Sequence, residues 1–167
     1  MQGKFQQFYR VSKEVAQNSL LTGSIQLSGF TRLCSLVMTN EATINISIEF
    51  LTSKYQHPSI KGHVETELLT ECQRCLAPMV HPINLDFDLL IDASDEDVHS
   101  FQVDTVFTDD GYVNIFEVIE DELILALPLI SIHEDVSCNE HWQSGSNEEP
   151  VVEKNNPFAV LQSLKGK

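Results

Sequence analysis

From Cys75 to Glu153 the chain runs 79 residues without a lysine or arginine while carrying 19 Asp and Glu. A stretch that long with one sign of charge sets up a field that repels phosphate and attracts cationic partners. The cations sit in the flanks. Residues 1–74 hold seven Lys/Arg against six acids, and residues 154–167 hold three lysines and no acid, which brings the 167-residue chain to a formal charge of −15. Autonomous nucleic-acid binding is disfavoured by that balance. A solubilising surface is the plain reading of the acids, and a basic protein partner is the functional one.

With 42% hydrophobic residues the chain has enough apolar side chain for one packed core, which excludes a wholly disordered acidic polymer. The longest apolar run, Leu123 to Ile130, is eight residues and includes Pro128, whereas a bilayer span needs about 20. Residues 1–13 hold no apolar core of a secretory signal. A cytoplasmic location is expected. Four cysteines, Cys34, Cys72, Cys75 and Cys138, are too few and too unevenly spaced for a secreted disulfide scaffold, so a reducing compartment fits them.

Periodicity predicts an α+β domain, a mainly antiparallel sheet with a few packed helices. Phe8, Val11 and Val15 suggest a short helix over 8–18, and Leu21, Gly23, Ile25 and Leu27 alternate as a strand. Residues 29–37 are ambiguous. Ile44, Ile46, Ile48 and Phe50 alternate strictly with Asn45, Ser47 and Glu49, the pattern of a half-buried strand. Residues 62–72 and 82–91 read as two more strands, which places Cys72-Gln73-Arg74-Cys75 at the turn of a hairpin. Residues 92–104 read as an acidic loop.

Asn114, with Glu117 three residues on, caps a predicted helix that Pro128 ends. On a helical wheel Glu117, Glu120 and Asp121 form its polar side, and Glu122 falls within the apolar arc. There Glu122 either reaches water at the edge or needs a partner, and Arg74 is the last arginine before the cation-free stretch. The domain is predicted over 1–138, a polar acidic linker over 139–156, and a C-terminal amphipathic docking segment over 157–167 built on Phe158, Leu161 and Leu164.

No phosphate-cradling glycine pattern, nucleophile elbow or His-Glu-x-x-His is present, so the sequence shows no catalytic constellation. Cys72-x-x-Cys75 with the distant His133-x4-Cys138 supplies four N/S donors, the number a closed structural zinc site takes. His81 and His141 are rival fourth ligands. Unligated thiols and a redox pair are the other readings of these cysteines.

Three segments together resemble one family: Glu71-Cys72-Gln73-Arg74-Cys75-Leu76, the run from Val118 to Pro128 continuing to His133 and Cys138, and Asn156-Pro157-Phe158-Ala159-Val160-Leu161. They look like the YceD family of large ribosomal RNA subunit accumulation proteins. A weaker match lies around residues 23–33, including Arg32 and Leu33. The resemblance implies a cytoplasmic factor needed for synthesis, processing or stability of 23S rRNA and a metal site at the cysteines, and it supplies no catalytic residues to carry over. Three functions stay open. The first is a non-enzymatic ribosome-biogenesis factor whose acidic 75–153 region binds a basic ribosomal or assembly protein, with Glu117, Glu120, Asp121, Arg74, Phe158 and Leu161 as contacts and rRNA reached indirectly. The second is direct RNA binding through Lys4, Arg10, Lys13, Arg32, Lys54, Lys61 and Arg74, and the third a metal-dependent RNA-processing or RNA-modifying enzyme.

Overall fold

The structure, a computed structural model, describes residues 5–92 and 103–138. The chain divides into two units, Met1–Glu134 and Asp135–Lys167. In the first, β1 (Phe8–Arg10) leads into α1 (Val11–Ala16), followed by β2 (Leu20–Gln26), a 3-10 turn (Leu27–Gly29) and α2 (Thr31–Cys34). Three long strands come next, β3 (Thr43–Thr52), β4 (Pro58–Glu71) and β5 (Pro78–Ile91). Short strands β6 (Asp104–Val106) and β7 (Tyr112–Asn114) precede α3 (Ile115–Ala126). The α+β class, with a mainly antiparallel sheet, is the one that periodicity predicts.

The main sheet has the order β2-β3-β4-β5-β6, antiparallel except for the parallel β5–β6 pair. Alternation decides which face is inside: Ile44, Ile46, Ile48 and Phe50 are all buried while Asn45 and Glu49 are exposed. Each such side chain contributes about 1.5–3 kcal/mol by leaving water. Across the sheet the core continues through Ile60, Val64 and Leu68 of β4 and Ile83, Phe87 and Leu89 of β5. Ile115, Val118, Ile119 and Leu123 of α3 join the same core, and Phe116 stacks on Phe30 with ring centroids 5.5 Å apart. The opposite face is polar, with His63 held between Asp86 at 2.8 Å and Glu65 at 3.3 Å.

Gly62 of β4 sits in register between Ile48 and Phe87, and the Phe87 ring lies where a Cβ on residue 62 would stand. Gly62→Ala must drive that ring out of a buried slot, so it is expected to destabilise the protein by about 1–3 kcal/mol. Urea unfolding, with the midpoint compared at unchanged slope, measures it.

Two expectations are corrected. Residues 8–18 do not form one helix: Phe8–Arg10 is a strand paired with Tyr112–Asn114, and the helix is only the six residues Val11–Ala16. The backbone N–H groups of Val11 and Ile115 bond to the carbonyls of Gly111 and Gln7, so a partner about a hundred residues away overrides the local spacing. The expected acidic loop ends at Val103, because Asp104–Val106 pairs in parallel with Leu89–Ile91. The expected linker over 139–156 and the C-terminal docking segment, with Phe158 and Leu161, lie outside the described residues.

Candidate metal centre and the acidic helix

The hairpin expected around the cysteines is present, and its turn is built by the backbone. Leu76 N–H bonds to Cys72 carbonyl at 2.8 Å and Cys72 N–H to Ala77 carbonyl at 2.9 Å. Leu76 takes a left-handed φ of 60° although it has a side chain. Such a conformation costs on the order of 1 kcal/mol and persists only where its surroundings fix it. The strap after α3 does that from outside the hairpin: Gln73 N–H bonds to Ser131 carbonyl at 2.8 Å, and Arg74 Nη2 donates to His133 carbonyl at 3.1 Å.

These ties bring His133, 58 residues on, to the cysteines, with its Nδ1 3.4 Å from Cys75 Sγ. The ligand atoms of Cys72, Cys75 and His133 lie within 4.8 Å of one another. Ordinary zinc bond lengths put S···N at about 3.5 Å and S···S at about 3.8 Å along the edges of a tetrahedron. The Cys75–His133 spacing matches such an edge, and the remaining donor pairs, within 4.8 Å, are close enough to close on one ion.

Cys72 is fully buried. Burial by itself, the largest influence, pushes its thiol up. Backbone N–H groups of Cys75, His133 and Arg74, with the Cys75 side chain, outweigh that and bring it down to about 6. A thiolate surrounded by amide donors is the form that binds a soft cation. Cys138 closes the 3-10 turn Val136–Cys138 in the second unit, five residues beyond His133. His81 is on β5 opposite Leu68, and His141 lies outside the described residues. Cys34 is half-buried, 3.2 Å from the Leu27 carbonyl.

The acidic helix differs from its helical wheel at one residue. Glu117 and Asp121 are exposed as expected, and Asn114 caps the helix by accepting from Glu117 N–H at 3.4 Å. Glu120, expected beside them, points inward and is 7% exposed. Its Oε1 accepts from the backbone N–H of Arg32 at 2.7 Å and of Leu33 at 3.1 Å, and its Oε2 from Arg32 Nε at 2.9 Å. Phe30, at the N-cap position of α2, has no side-chain acceptor to offer. A carboxylate 88 residues away therefore satisfies the orphan donors at the second and third positions of that helix, and favours its positive end. Burial raises the Glu120 pKa, but the Leu33 N–H, the Arg32 side chain and the Arg32 N–H together hold it below the usual carboxylate range. Arg32, expected among the RNA contacts, also meets Asp121 at 2.7 Å. Arg74, expected at a partner surface, braces the cysteine turn through the His133 carbonyl.

A family model described as "Large ribosomal RNA subunit accumulation protein YceD" matches residues 60–165. A curated protein of that name from Haemophilus influenzae (strain Rd) is 30% identical over 142 residues, spanning 81% of this chain and 82% of its own. The chain belongs to the YceD family. No solved structure matches it. The YceD match takes in the cysteine turn, the α3 helix and the strap bearing His133, whereas Arg32 lies before it. None of the helices among the described residues is long and apolar enough to cross a membrane.

Proposed function

We propose that this YceD-family chain is a non-enzymatic cytoplasmic factor that sustains large-subunit ribosomal RNA by holding a basic ribosomal or assembly protein on its acidic surface. The observation that carries the reading is where four of the seven fixed cations of residues 1–74 stand. Arg32 is held by Glu120 and Asp121, Lys61 lies 3.5 Å from Asp88, and Lys13 lies 3.6 Å from Glu14. Lys54 sits over the Tyr55 ring. Three of these cations stand beside acids, which lowers the positive field they offer a phosphate backbone, while Asp109, Asp110 and Glu117 remain exposed. The test is the ratio of 23S to 16S rRNA in cells lacking the gene and carrying a plasmid copy. Wild type and the Arg10→Ala/Lys54→Ala variant are expected to restore it, and Asp109→Asn/Asp110→Asn/Glu117→Gln to fall short. The reverse pattern would favour an RNA-contacting surface.

The metal has a structural part in this reading: Cys72, Cys75 and His133 hold one zinc and Cys138 closes the site. Five residues of tether from His133 and a fourth thiol in the sequence support that assignment. With every position filled by protein, zinc staples the hairpin to the strap and leaves no place for an activated water. In protein purified without chelator, wild type is expected to carry about one zinc per chain, and Cys138→Ser to bind it at least about ten-fold more weakly. Unchanged affinity in Cys138→Ser would mean an open fourth position and revive the hydrolytic-enzyme reading.

A further inference from the structure

Between α3 and the β5–β6 edge of the sheet lies an open groove of about 570 Å³. Its floor is apolar, made by Leu89, Val106, Val118 and Ile124, and Leu125 stands at its lip 79% exposed. Asp104, Asp121 and Glu122 also line it. The cation among its described lining residues, Arg32, is engaged by Asp121 and Glu120. Among the described residues no hydrogen bond or ion pair reaches the Glu122 side chain. Burial, and then the charges of Asp104 and Asp121, push its carboxyl above the usual range. The charge of this groove is thus incompletely balanced over an apolar floor.

Different ligands meet these features differently. An anion adds to the repulsion, and a purely apolar ligand leaves the carboxylates facing it unpaired. Lysine and arginine carry both complements in one side chain, an aliphatic stem that covers apolar surface and a charged head that reaches the edge. We propose that this groove is the docking site for a cationic amphipathic segment of a protein partner. Its Lys or Arg stems lie along Leu89, Val106 and Leu125, and their heads meet Glu122, Asp104 and Asp121. The proposal builds on the basic-partner reading and places that partner on one side of α3.

The test uses the full chain, ¹⁵N-labelled, titrated at low ionic strength with a short synthetic peptide of lysine and leucine at helical spacing. The same peptide with glutamate for lysine is the control. The lysine peptide is expected to shift the amides of Leu89, Val106, Glu122 and Leu125, and the glutamate peptide to leave them in place. Glu122→Gln, at a half-buried position, and Leu125→Ser, at an exposed one, are each expected to weaken binding by about three- to ten-fold without moving distant resonances. Binding that maps instead to the open sheet face around His63 and Asp86, and that neither substitution weakens, would overturn the groove and leave the basic-partner reading standing. No binding of the lysine peptide would overturn both. Groove shifts produced equally by a single-stranded RNA oligonucleotide would overturn the protein-segment assignment.

Discussion

Cys72→Ser is expected to lower the melting temperature by on the order of 10 °C or more and to abolish zinc retention in the same sample. Chelation of the wild-type protein is expected to give the same shift. Cys72 is fully buried at the start of a turn whose backbone N–H groups surround its sulfur, and serine there presents a neutral hydroxyl in place of a thiolate. The turn, with Leu76 held at a positive φ, then loses what fixes it against the strap carrying His133. Acid is expected to act in the same direction. A thiol depressed to about 6 stabilises the metal-free fold fully above its ordinary thiol range and ceases to do so as the pH falls through 6, and metal retention is expected to drop in acid as well because protons compete with zinc for the thiolates. Thermal melts beside metal analysis check both. A Cys72→Ser protein with unchanged melting temperature, from a wild type that carries no metal, would show these thiols to be structurally inert.

Glu120→Ala is the second large effect, expected at about 2–4 kcal/mol in urea unfolding. The substitution strips the acceptor from two backbone N–H groups at the start of α2, and Leu33 is fully buried, so water does not readily replace it. Arg32→Ala is expected to cost far less, because its side chain is 53% exposed and its ion pairs are solvent-screened. The order of the two is decisive. Equal costs would mean that the ion pair, rather than the capping of α2, is what Glu120 provides. Its depressed pKa adds a pH signature: the stabilisation is complete above the ordinary Glu value and disappears as the pH falls through the lower folded value. The gap between wild type and Glu120→Gln is therefore expected to narrow in acid.

These residues also show how far the sequence was legible. Strict alternation in Ile44–Phe50, and in the strands on either side of Cys72-x-x-Cys75, placed the sheet's inner face and the hairpin correctly, because burial of one strand face is written at period two. The capped helix before Pro128 was equally clear, and its observed bounds, Ile115–Ala126, lie inside the predicted ones. Glu120 was misassigned because it falls at the border of the wheel's apolar arc. What turns it inward is a pair of backbone donors 87 and 88 residues away that leave no local pattern. The short strands Phe8–Arg10 and Asp104–Val106 were hidden for the same reason, since three residues are too few for a period and their pairing is long-range. Donor types and spacing offered Cys72, Cys75 and His133 as candidates beside His81 and His141, whereas their nearness and the N–H cradle that lowers the Cys72 pKa needed the folded backbone.

Affinity purification of the tagged chain from cells, eluted first at low and then at moderate salt with protein and RNA identified in each fraction, tests the central claim most directly. A basic large-subunit or assembly protein that leaves at moderate salt, with no enriched precursor 23S rRNA, is the expected result, because charge complementarity drives the association. Precursor 23S rRNA that stays bound after the proteins have been stripped would contradict it.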